Sequence, residues 1–212
     1  MNRVLLVAGI LIPFLGCGSK TAEEEFWSWF AYNEAMLFSF ESDRNAVFIR
    51  LGAQMRKVNE DLTFEFGPID ESGKREFIIS AGGIKQAFPS VESLYASAPE
   101  LQRWEFIKFR PRRTPLMDIE LAGRSVKHDE VRFVLFPEDD QAGVLLLFDD
   151  YTESEKDFFA AVGFLFLDQV LGEYDVETKV GPIQFEGSNS EYYDQSFPLG
   201  ALADSFDAYF QK

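Results

Sequence analysis

The sequence predicts an α+β fold, a single domain with a mixed β-sheet and helices packed on the sheet. Three observations lead there. Residues 61–110 and 129–186 run through the same order of strand, turn, strand, helix and strand. The hydrophobic period switches along the chain between that of a helix and that of a strand. Hydrophobic residues make up 46% of the chain and Phe occurs 23 times, enough to build a dense aromatic core. Each strand–strand–helix–strand half implies an antiparallel hairpin followed by a right-handed parallel crossover. Two such halves are expected to join in one mixed sheet.

The elements follow in order. Phe26, Trp29, Phe30, Leu37 and Phe40 share one stripe, which predicts a helix over 26–40. Asn33 lies on that stripe and reads as a satisfied structural hydrogen bond. Phe48, Leu51, Met55 and Val58 mark a second helix. From Asp61 the period becomes two, with Leu62, Phe64 and Phe66 on one face of a strand. Gly67 to Gly73 is a turn, and Phe77 to Ser80 is the returning strand. Ser90 is a plausible N-cap for a helix carrying Val91, Leu94 and Tyr95, which Pro99 stops. Trp104 to Arg110 closes the first half as a strand.

Leu116 to Leu121 predicts a short strand and Gly123 to His128 a polar connection. Val131 to Phe136 is the next strand. Val144 to Phe148 lacks any polar residue, so it should be a central strand covered on both faces. Thr152 and Glu155 have capping-box spacing for a helix ending at Gly172. Phe158 to Leu167 is apolar all round and should be buried. A strand follows around Val180 to Phe185, and Leu202, Phe206, Tyr209 and Phe210 mark a closing helix.

The N-terminus reads differently. Arg3 precedes an apolar run from Val4 to Phe14 that is too short to span a bilayer, which takes about 20 residues. It matches the apolar region of a secretory signal. Phe14-Leu15-Gly16-Cys17 then resembles a bacterial lipobox, with Phe14 where Leu is commoner. This resemblance implies cleavage after residue 16, diacylglycerol on Cys17, a spacer over 17–22 and a domain over 23–212. Cys17 is the only Cys, so no intramolecular disulfide is possible. Gly18 rather than Asp after Cys17 implies, by the usual lipoprotein sorting pattern, the outer membrane of a two-membrane bacterium, facing the periplasm. The membrane would then be one partner, reached through that lipid.

Net charge is −16, and it becomes −17 once the signal and Arg3 are removed. Such a surface repels nucleic acid and anionic lipid and favours a basic protein partner. No phosphate-binding glycine loop, no G-x-S-x-G and no H-E-x-x-H is present, and His128 is the only His. No cofactor is implied, and a thiolate zinc site is excluded.

Two charged clusters stand out. Arg110, Arg112 and Arg113 form a basic knot that could hold an anion or a carboxylate. Asp168, Glu173, Asp175 and Glu177 lie near the end of the apolar helix. The arginines either pair with these acids to fix the structure or line a functional cleft. The structural account expects Arg110 or Arg112 to pair with Asp168 or Glu173.

Several strings are familiar: Phe77-Ile78-Ile79-Ser80-Ala81-Gly82-Gly83, Phe109-Arg110-Pro111-Arg112, and Leu167 through Gly181 with its Leu-Gly-Glu-Tyr-Asp-Val-Glu-Thr-Lys core. With Trp27-Ser28-Trp29-Phe30 and Asn33-Glu34, they resemble a bacterial protein family of unknown function. The resemblance covers most of residues 25–186 and implies no activity. Three readings remain: a lipid-anchored binding domain, an acidic inhibitor or immunity-type protein against a basic partner, and a hydrolase working through two carboxylates. The lack of a nucleophile or metal pattern argues against the third.

Overall fold

A computed structural model describes residues 19–211. The first half comprises α1 (Ala22–Tyr32), α2 (Glu34–Phe38), α3 (Arg44–Val58), β1 (Thr63–Ile69), β2 (Arg75–Ser80), α4 (Phe88–Ala96) and β3 (Trp104–Lys108). A small hairpin of β4 (Ile119–Leu121) and β5 (Arg124–Val126) follows. The second half comprises β6 (Val131–Glu138), β7 (Gln141–Phe148), α5 (Lys156–Leu171), α6 (Glu173–Lys179), β8 (Val180–Gly187), β9 (Phe197–Pro198) and α7 (Leu202–Phe210).

The fold is α+β, and the two halves repeat one topology. β1 runs antiparallel to β2, and β2 runs parallel to β3. Likewise β6 runs antiparallel to β7, and β7 runs parallel to β8. The expected single mixed sheet, however, is two mixed sheets, one of order β1-β2-β3 and one of order β8-β7-β6-β9. Each half closes its own core. Phe26, Phe30, Leu51, Met55 and Phe77 anchor one, and Phe133, Leu146, Phe159, Phe166 and Phe206 anchor the other. β3 also stops early, at Lys108. Phe109 takes φ +61, outside the strand region, and Pro111 has no N–H to continue a ladder.

The helix expected over 26–40 breaks at Asn33. Its side-chain amide donates to the Trp29 carbonyl at 2.8 Å while its backbone N–H bonds to the Trp29 and Phe30 carbonyls. This local competition with the helical ladder ends α1. The folded body starts earlier than residue 23. Thr21 and Glu24 form a reciprocal capping box for α1. Thr152 makes no such box: its hydroxyl donates to the Glu155 carboxylate at 3.0 Å, and α5 begins only at Lys156. Ser90 is not an N-cap either. α4 starts at Phe88, and the Ser90 hydroxyl accepts from the Asn59 amide at 3.0 Å.

The connection expected over 123–128 contains β5, which pairs with β4 across Ala122-Gly123. Both turn residues have positive φ, +51 and +78, as a tight two-residue hairpin requires. The stretch from Phe158 to Leu167 is buried on one face only. Phe164 and Leu165 are 45% and 40% exposed, because a single sheet covers α5. Gly163 lets that sheet approach closely, since a Cβ there would lie 2.2 Å from the Phe185 ring. β7, by contrast, is buried on both faces from Ala142 to Phe148.

Candidate functional site

The two halves are tied together where α5 ends. Gly172 terminates α5 with φ +78, a conformation L side chains rarely adopt. Glu173 then opens α6 and is fully buried, at 0% exposure. Its Oε1 accepts the Ala81 N–H at 2.8 Å and the Gly83 N–H at 3.3 Å. Its Oε2 accepts the Arg110 N–H at 3.0 Å. Gly82 and Gly83, at φ +60 and +80, make the turn that brings the loop after β2 to this carboxylate. Three N–H donors satisfy a charge that burial would otherwise make very costly. Three of the strings singled out in the sequence, 77–83, 109–112 and 167–181, therefore meet at one side chain.

Around Glu173 the charged side chains pair off. Arg110 places Nη1 3.2 Å from Asp168 Oδ2 and Nε against the Glu65 carboxylate. Burial disfavours its charge, but Glu65, Asp168 and Glu173 outweigh that and hold it protonated. Arg112 forks onto Asp207 with two bonds of 2.8 Å, reaches Asp175 at 2.8 Å and donates Nε to the Leu171 carbonyl at 3.0 Å. Arg113 reaches Glu76 at 3.1 Å, and its backbone N–H donates to the Gln169 carbonyl at 2.7 Å.

The expected pairing is thus present for Arg110 with Asp168, whereas Arg112 goes to Asp175 and Asp207. Glu173 binds backbone rather than a guanidinium. Sequence reading missed Glu65, Glu76 and Asp207, which carry no local signal because they come from β1, β2 and α7.

Burial pushes the Asp168 carboxyl up to about 6; Arg110 opposes this, while Glu173 and Glu177 add to it. Burial and then Glu173 also raise Glu177, against the pull of Lys85. Both carboxyls move the same way, unlike an acid–base pair whose environments push the two apart. No group of three metal-binding side chains occurs among the described residues.

A cleft of about 370 Å³ opens beside the junction, with Phe109, Tyr174, Lys108 and Glu92 in its lining. Tyr174 stacks on Phe88 at 5.7 Å and meets Phe109 at 5.2 Å. Cys17 lies outside the described residues. His128, expected in a charged loop, places Nδ1 2.8 Å from Asp118 Oδ1 and helps close the β4–β5 hairpin. No helix among the described residues is long and apolar enough to cross a membrane. No protein-family model, no characterised protein and no solved structure matches the chain.

Proposed function

We propose that this chain is a lipid-anchored, non-catalytic binding domain of the bacterial cell envelope, held at its membrane through Cys17. The observation that carries the reading is a spacing. Thr21 caps the first helix, four residues after a Cys that ends a signal-like apolar run. Four extended residues reach about 14 Å, so the body sits close against the bilayer. The junction supports the non-catalytic part, since its buried carboxylate and its three arginines are engaged in joining the halves. Metabolic labelling with a palmitate analogue tests the anchor. The wild type takes label and Cys17→Ser does not; equal labelling of both would remove the anchor from this account.

A second reading is favoured by the net charge of −16. The anchored domain would neutralise a basic protein, as an inhibitor or immunity-type protein does. Crosslinking in intact cells separates the two. A basic partner whose own activity the domain abolishes supports inhibition, while a partner that keeps its activity supports a binding role.

A further inference from the structure

Among the described residues, β3 is the one edge of the two mixed sheets without a proline. Pro68 lies in β1, Pro182 in β8 and Pro198 in β9. The register also shifts in β1 between Phe66 and Ile69, and where β8 pairs with β7 between Ala142 and Val144. Prolines and irregular register blunt an edge against further pairing. β3 has neither over Trp104–Lys108, and it pairs with β2 in unbroken register.

The phase of its backbone follows from the bonds at its two ends. The Arg75 N–H donates to the Arg103 carbonyl at 2.9 Å, and the Phe109 N–H donates to the Ile79 carbonyl at 2.8 Å. Backbone groups alternate in direction along a strand, so Arg103, Glu105, Ile107 and Phe109 turn theirs to β2. Trp104, Phe106 and Lys108 turn theirs away. The Trp104 N–H is used by the Leu101 carbonyl at 3.1 Å. Both backbone groups of Phe106 and the N–H of Lys108 are left without a strand partner among the described residues.

The side chains of β3 specify what a guest strand would carry. Trp104 and Phe106 face the helices, their rings 5.0 Å from Phe30 and 4.6 Å from Trp27. Both line a groove of about 640 Å³, together with Tyr95, Ala98, Pro99 and Leu101. Glu105 falls on the opposite face of the sheet by strand alternation. There it is the register partner of Glu76, whose carboxylate Arg113 engages at 3.1 Å. Glu105 itself is exposed and has no ion pair among the described residues. Carboxylates directly opposite each other are unfavourable, so a cation on the open side of Glu105 would be stabilising. The net charge of −16 draws such a partner in. We propose that the free edge of β3 docks an extended segment of a basic partner protein, which adds as a further strand. A Lys or Arg of that segment lies beside Glu105, and the apolar side chains on either side of it enter the groove. The proposal names the docking surface of the binding domain described above and rests on that reading.

The test starts with the full chain in the cells that make it. The photocrosslinking residue p-benzoylphenylalanine is placed at Gln102, Glu105 or Lys108, and at Gln184 on β8 and Tyr32 on α1 as controls; all five positions are exposed. The three positions on and beside β3 should capture one basic protein, identified with its crosslinked segment by mass spectrometry, and the controls should not. That segment, made as a peptide, is then titrated by fluorescence anisotropy against the full chain in detergent micelles. Glu105→Lys should weaken its binding about fivefold. Lys108→Pro removes an outward N–H and no bond to β2, and should weaken it about tenfold. Gln184→Lys should leave it unchanged. Glu105 is exposed, so Glu105→Lys keeps the test open if Lys108→Pro does not fold. Capture at the controls alone, capture of a second copy of this chain, or peptide binding untouched by Glu105→Lys would overturn the edge proposal alone. Capture at no position would overturn the binding reading and this proposal with it.

Discussion

Glu173 and Arg110 hold each other through two reciprocal hydrogen bonds. The Glu173 carboxylate accepts the Arg110 N–H at 3.0 Å, and the Arg110 carbonyl accepts the Glu173 N–H at 3.0 Å. The same carboxylate reaches across to the turn after β2. One side chain from the second half thus closes two loops of the first. This makes Glu173 the structural centre of the molecule.

Truncating Glu173 should therefore destabilise strongly. Glu173→Ala leaves three backbone donors without their acceptor, each worth about 1–3 kcal/mol when buried and unsatisfied. A loss of at least about 3 kcal/mol is expected by denaturant unfolding. Glu173→Gln keeps the volume and one acceptor oxygen, and should fall between the two.

Gly172→Ala tests the geometry that presents Glu173. The position has φ +78, and a Cβ there would sit 3.1 Å from the Arg110 carbonyl and 3.3 Å from the Arg112 nitrogen. Both contacts are backbone and cannot rotate away. A loss of about 1–3 kcal/mol is expected from the backbone conformation alone. A neutral substitution, read by the same unfolding measurement, would mean that the turn is less constrained than its contacts imply.

The sequence made the halves legible because hydrophobic period and turn residues are local signals. Leu62, Phe64 and Phe66 announce β1, and the unbroken apolar run from Val144 announces a strand buried on both faces. What stayed hidden is non-local. Nothing in the stretch from Leu167 to Gly181 says that Glu173 will meet Ala81, ninety-two positions earlier. The arginine knot was visible, but Asp207 and Glu76, two of its partners, lie far away in the chain. Separate sheets were also illegible: β3 ends at Lys108, just before Phe109 takes φ +61, and no local pattern marks that break. A bulky residue at positive φ leaves no mark on composition.

Asp168 should make stability depend on pH. Burial raises its carboxyl to about 6 in the folded state, despite Arg110. In the unfolded chain an aspartate titrates near about 3.9. Between about pH 4 and 6 the folded protein holds a proton that the unfolded chain has released, so this contribution falls as pH rises and levels off above. The full effect is no more than about 3 kcal/mol. Asp168→Asn should flatten that slope and be at least as stable as wild type at pH 7. Urea unfolding from pH 4 to 8 measures it; an unchanged slope would show that the proton sits elsewhere.

Double-mutant cycles should separate the partners of Arg110. Arg110→Ala with Asp168→Ala removes a side-chain pair whose members are 24% and 20% exposed. A coupling above the 0–1 kcal/mol or so of surface pairs is expected. Arg110→Ala with Glu173→Ala should couple less, because the Arg110 N–H survives the substitution. A larger coupling to Glu173 would reverse this assignment.

The central claim is that the Glu173 junction makes one cooperative unit of two separately cored halves. Trp27, Trp29 and Trp104 are the only tryptophans and all lie in the first half, whereas helix and strand occur in both. Urea unfolding of the chain from Ser19 onward, followed by tryptophan fluorescence and by far-ultraviolet circular dichroism, therefore reports on one half and on the whole. The account predicts coincident transitions in the wild type that separate in Glu173→Ala. Transitions that already differ in the wild type would contradict it.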